Sequence, residues 1–194
     1  LFEKLASLHS QRGALGLDPE SLYLIEETYK NFVRAGARLS GSDKEKIKAI
    51  NTELASLQTK FDQNILHEVN DKAIVVDSLE ALDGLSAQAI AAAEEAANAR
   101  DLEGKYVLGL LNTSSQPALS SLKNRELRQA ILEVSLGRGS SGGAYDNRAL
   151  LSRIAKLRAE RATLQGYENH AAYVLDSETA QTTQAVNERL ARMA

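Results

Sequence analysis

Along most of the chain, apolar residues recur every three or four positions, the spacing that gathers them on one face of a helix. Leu22, Ile25, Tyr29, Phe32 and Val33 form such a stripe behind Asp18-Pro19-Glu20. That triplet is a helix start: a capping side chain, a proline at the first helical position, and a carboxylate at the positive end of the dipole. Gly36 and Gly41 bracket the break that follows, and Ser42-Asp43-Lys44-Glu45 reads as a capping box with Glu45 reaching back to the cap N–H. Behind it Ile47, Ile50, Leu54, Leu57, Phe61, Ile65 and Val69 keep near-heptad spacing, as in a helix packed lengthwise on a neighbour.

The pattern changes at Lys72–Asp77. Ile74, Val75 and Val76 are contiguous and β-branched, which predicts a short strand. Ser86 opens an Ala-rich helix to about Arg100, and Tyr106–Leu111 is a second short apolar run. The two runs can pair as an antiparallel ribbon, with other pairings open. Asn112–Gln116 reads as a polar loop, and Pro117 as the start of a helical turn. Asn124 caps a helix with Leu127, Ala130, Ile131 and Val134 inward, and Gly137–Gly143 reads as a flexible loop. Asp146 then caps a long helix carrying Leu150, Leu151, Ile154, Leu157 and Leu164, stopped at Gly166. Asn169 caps a short helix with Ala172, Tyr173 and Leu175, and Thr182 or Thr183 caps a last one. The predicted fold is mainly α, a multi-helix array with a short two-stranded ribbon around 73–76 and 106–111.

Composition narrows the function classes. The chain has 194 residues, 43% apolar and 25% charged, with a net charge of −3. Nothing in that balance calls for a nucleic acid or an anionic membrane as partner. There is no cysteine, which excludes disulfides and thiolate metal sites and allows a reducing compartment; a cytoplasmic location is expected. No apolar run is long enough to span a bilayer. The chain opens LFEKLASLHSQ and ends NERLARMA, both as if inside helices. Both ends look cut, so the expectation is a fragment of something longer, with exposed apolar faces that favour self-association.

Two motifs resemble catalytic signatures. His67-Glu68-Val69-Asn70-Asp71 nearly matches His-Glu-x-x-His, in which two helix-borne histidines bind zinc and the glutamate acts as base. Here Asp71 takes the place of the second histidine, at what reads as a helix end. Val69 continues the core stripe, so His67 and Glu68 are read as exposed helix residues. Gly137-Arg138-Gly139-Ser140-Ser141-Gly142 matches G-x-G-x-x-G, but the dinucleotide fingerprint needs a strand before it and a helix directly after. A helix precedes it here, so a mobile linker is the better reading. His9 and His170 lie in separate segments and read as surface or packing histidines. Arg148, Arg153, Lys156, Arg158 and Arg161 ride one helix, ordinarily a solvated face. From the residues, no catalytic, cofactor-binding or metal-binding position is assigned.

Several blocks nevertheless agree in order. The runs Leu110–Gly139 and Asp146–Asp176 resemble the segment that precedes the catalytic half of bacterial peptidyl-dipeptidases, and Leu17–Leu66 is similar to the same family's upstream helices. These enzymes belong with oligopeptidase A and thimet oligopeptidase. The Asn112–Pro117, Asn124–Arg128 and Leu164–Ala172 blocks favour the dipeptidyl branch.

The resemblance implies a zinc-dependent metallopeptidase that releases C-terminal dipeptides from oligopeptides. Residues 1–194 would be one helical, internal piece of it, a wall of the substrate channel ahead of the zinc-binding catalytic half. It also implies zinc and short peptides as the full-length enzyme's cofactor and partners, with no zinc bound and no peptide cleaved by this piece alone. A free-standing helical interaction module, docking through the helix over 42–71, is the alternative from another class.

Overall fold

The computed structural model describes residues 1–110 and 116–194; the predicted polar loop Asn112–Gln116, except Gln116, and Leu111 at the end of the second apolar run lie outside the described residues. The fold is mainly α, and the predicted ribbon is present. The order is α1 (Phe2–Gln11), α2 (Pro19–Arg34), α3 (Gly41–Asp71), β1 (Ile74–Val76), α4 (Ala87–Asn98), β2 (Tyr106–Leu108), α5 (Ala118–Ser121), α6 (Arg125–Leu136), α7 (Arg148–Leu164), α8 (His170–Leu175) and α9 (Thr183–Ala191). The strands pair antiparallel with Val75 opposite Val107.

Side-chain caps fix most of the helix starts. Asp18 accepts from the Ser21 N–H at 2.9 Å, Asn124 from Leu127 at 3.0 Å, Asn169 from Ala172 at 2.9 Å, and Thr182, rather than Thr183, from Ala185 at 3.1 Å. Helix α3 departs from the expected capping box. It begins at Gly41, and Ser40 Oγ accepts from the Asp43 N–H at 3.2 Å while donating to Asp43 Oδ2 at 2.9 Å. A serine followed three residues later by an acid occurs at Ser40 as well as at Ser42, and the earlier register satisfies the first turn.

The chain divides into two compact units, residues 1–56 with 153–194, and residues 57–152. In the first, Ile47, Ile50 and Leu54 of α3 and Ile154, Leu157 and Ala162 of α7 are buried. The predicted α7 stripe holds except at Leu151, which lies in the first turn and stays 56% exposed. Helix α1 packs on α2, with Phe2 stacked 5.8 Å from Tyr29 and 6.1 Å from Phe32.

In the second unit, Val69, Val76, Leu82, Leu110, Leu122 and Ile131 form the core, and β2 packs against α4. One backbone crossing there demands glycine: Gly84 has φ +99°, and a Cβ on it would meet the Ser121 carbonyl oxygen at 2.0 Å.

Candidate functional site

The near-match to a zinc helix lies at the end of α3, and its two leading residues part company. His67 is exposed and stacks on Tyr145, ring centroids 5.3 Å apart. Glu68 is buried, 3% exposed, which corrects the reading of it as a surface residue. Its carboxylate accepts from the Gly139 backbone N–H and from the Ser141 hydroxyl, with Lys72 Nζ 3.6 Å away. The stripe rule failed because burial at Glu68 is polar: the loop after α6 folds over it and supplies donors. Burial pushes the Glu68 carboxyl up, but the Ser141 hydroxyl, the Gly139 N–H and Lys72 together outweigh it and hold it below the usual glutamate range.

The same contacts correct the reading of Gly137–Gly142 as a mobile linker. Its glycines shape an anion cradle, and the anion is this chain's own Glu68. Gly139 has φ +70°, and a Cβ there would meet Ile65 Cδ1 at 3.0 Å. The Asn147 N–H donates to the Gly139 carbonyl at 2.8 Å. Asn147 is itself 2% exposed; its Nδ2 donates to the Phe61 carbonyl at 3.0 Å, and its Oδ1 accepts from Asn64 Nδ2 at 2.9 Å. Asp146 takes the Arg148 N–H at 2.9 Å and the Gly142 N–H at 2.9 Å. The Arg148 side chain, foremost, holds the Asp146 carboxyl down to about 2. Sequence reasoning missed Asn64 and Asn147, since a paired buried amide leaves no pattern in a single sequence.

The first unit carries a different cluster, centred on Tyr173 of α8. The Arg34 guanidinium lies 4.1 Å and that of Arg161 5.1 Å from its ring centroid, and Tyr167 meets it edge-on at 5.3 Å. Asp176 accepts from the Tyr167 hydroxyl at 2.9 Å and faces Lys30 at 3.2 Å and Arg34 at 3.5 Å. Burial raises the Asp176 carboxyl, and Tyr167, Lys30 and Arg34 more than reverse it. The network ties the turn after α8 to α2. The expected basic face of α7 is only partly a solvated face: Arg153 grips Glu53 through Nε at 2.6 Å and Nη2 at 2.7 Å. Beside that pair an open groove of about 670 Å³ has a mainly apolar lining that includes Ile50, Leu157 and Leu164.

Chemically, these arrangements hold elements in place. Glu68 is occupied by the loop, His67 by Tyr145, and Asp71 ends α3, so the three do not fit a zinc site. Among the described residues no group of three or more His, Cys, Asp or Glu side chains is placed to hold a metal ion, and no helix is long and apolar enough to cross a membrane.

Comparison with known proteins adds what the geometry does not supply. Residues 118–194 match peptidase family M3. Over 185 residues, 95% of the chain, the sequence is 38% identical to the dipeptidyl carboxypeptidase of Escherichia coli (strain K12). It is 32% identical over 154 residues, 76% of the chain, to the organellar oligopeptidase A (chloroplastic/mitochondrial) of Arabidopsis thaliana, and 29% identical over 174 residues, 88% of the chain, to the oligopeptidase A of Escherichia coli (strain K12). The matches cover 27%, 19% and 25% of those proteins, so the chain spans about a quarter of its curated relatives' length or less.

Proposed function

Because residues 118–194 match peptidase family M3 and 95% of the chain aligns at 38% identity with a dipeptidyl carboxypeptidase, we propose that the chain is part of an enzyme of this family that hydrolyses oligopeptides and releases their C-terminal dipeptides. The observation that carries this reading is the spread of identity: 38% is sustained over 95% of the chain against a dipeptidyl carboxypeptidase, and falls to 29% over 88% against an oligopeptidase A. The same segment order that resembles the peptidyl-dipeptidases therefore extends across both compact units.

In this reading residues 1–194 are scaffold and substrate-channel wall. The zinc of such an enzyme polarises the scissile carbonyl and activates water, and it belongs to sequence outside these residues. What this chain contributes is position. The Glu68 cradle fixes the α6–α7 connection, and the Asp176 network fixes α8 against α2. Short peptides as substrates and a cytoplasmic location belong to the same reading.

The test is product analysis on the protein made from the complete reading frame. Incubated with an N-terminally blocked tetrapeptide, it should release the C-terminal dipeptide, and a chelator should abolish the release. A complete protein that cuts only internally, or not at all, would overturn the assignment.

A further inference from the structure

Two turns apart on α7, Arg153 and Arg161 offer the same guanidinium edge to different surroundings. Arg153 closes a two-point contact on Glu53 through Nε and Nη2, at 2.6 and 2.7 Å. Arg161 Nε is shut away from solvent and has no hydrogen-bond partner. Its Nη1 reaches only the neutral Asn51 Oδ1, at 3.3 Å. Among the described residues, neither Arg161 nor Arg158 has a carboxylate at ion-pair distance. His170 adds a second orphan, since its Nδ1 is equally buried and unpartnered. Both groups pack on one ring: Arg161 lies 5.1 Å and His170 6.2 Å from the centre of Tyr173. Arg34, on the same ring, has Asp176 at 3.5 Å. One guanidinium on Tyr173 therefore has its carboxylate and the other lacks one.

We infer that Arg161 and His170, with Arg158 beside them, form a binding site for a small oxyanion, a carboxylate or a phosphate-like group. A guanidinium edge matches two oxygens of such a group, as Arg153 does with Glu53. A protonated His170 would add a third donor, and Arg158 further positive charge. All three residues are half-buried as a whole, while Arg161 Nε and His170 Nδ1 are shut away from solvent, so binding requires the two side chains to shift and turn these donors toward the ion. The remaining charges about Tyr173, Arg34 with Lys30 and Asp176, satisfy one another. Burial, with Arg158 and Arg161, holds the His170 imidazole below its ordinary value, and a bound anion would reverse that.

The 194-residue chain with isotope-labelled histidine can be titrated with inorganic phosphate and followed by NMR. His170 should shift saturably and its pKa should rise, with His67 unmoved. Arg161→Gln should weaken phosphate binding by about tenfold or more, and Lys156→Gln, on the same helix, should not. If Arg161→Gln fails to fold, Arg161→Lys keeps the charge, loses the two-point edge, and should weaken binding less. A short peptide with a free C-terminal carboxylate is then compared with its amidated form. Competition with phosphate by the free acid alone identifies a peptide carboxylate as the ligand; no competition by either peptide identifies an inorganic ion. No saturable change at His170, or a change that survives Arg161→Gln and Arg161→Lys, would overturn the site and leave an adventitious ion only.

Discussion

Glu68→Gln separates a structural glutamate from a surface one. The wild-type carboxylate takes donors on both oxygens, from Gly139 and Ser141, and its side chain is only 4% exposed. A hydrogen bond to a charged group contributes about 1.5–3 kcal/mol. Glutamine keeps one acceptor oxygen, loses the charge, and turns an amide toward one of the two donors. The expected cost is therefore about 2–3 kcal/mol, or a fall of about 5–10 °C in melting temperature for a chain of this size. The folded pKa of Glu68 lies below its unfolded value, so the stabilisation is present above about pH 4.3 and is lost as pH falls through the folded value. Urea unfolding of both proteins at neutral and acid pH reads the difference, and hydrogen exchange reads the Gly139 amide. Equal stability at pH 7, with equal protection at Gly139, would refute the account of the cradle.

Other outcomes follow from the same geometry. Gly84→Ala must place a Cβ against the Ser121 carbonyl at a positive φ; a loss of about 3 kcal/mol or more in urea unfolding is expected, and a neutral result would contradict the crossing. Asp146 should titrate near pH 2 by carbon NMR, and Arg148→Gln should raise that value toward the ordinary aspartate range, since the Arg148 side chain is its main cause. The chain should self-associate through exposed apolar side chains such as Tyr23 with Leu24 on α2 and Leu132 with Leu136 on α6, which are 65%, 66%, 45% and 76% exposed. Sedimentation measures this; a monomer across a wide concentration range would count against it.

Local signals in the sequence carried most of the fold. Asp18-Pro19, Ser86, Asn124 and Asn169 announce helix starts because a cap is a contact between residues three apart. The β-branched run at Ile74–Val76 announces a strand by its own composition, but its pairing with Tyr106–Leu108 is open among alternatives in the sequence and is settled by the structure. What stayed hidden is long-range and polar. Glu68 meets Gly139 across 71 residues, and Asn147 meets Asn64 across 83. Neither pairing leaves an apolar period, so Glu68 read as surface and its loop as linker. The family emerged from the order of whole blocks, and the placement of those blocks in two units required the structure.

The scaffold assignment is tested most directly by metal analysis of the purified 194-residue chain beside a cleavage assay on the same blocked tetrapeptide. No stoichiometric zinc and no dipeptide are expected, because Glu68 is held by its cradle and His67 by Tyr145. One zinc per chain with peptide cleavage, both lost on His67→Ala, would contradict it.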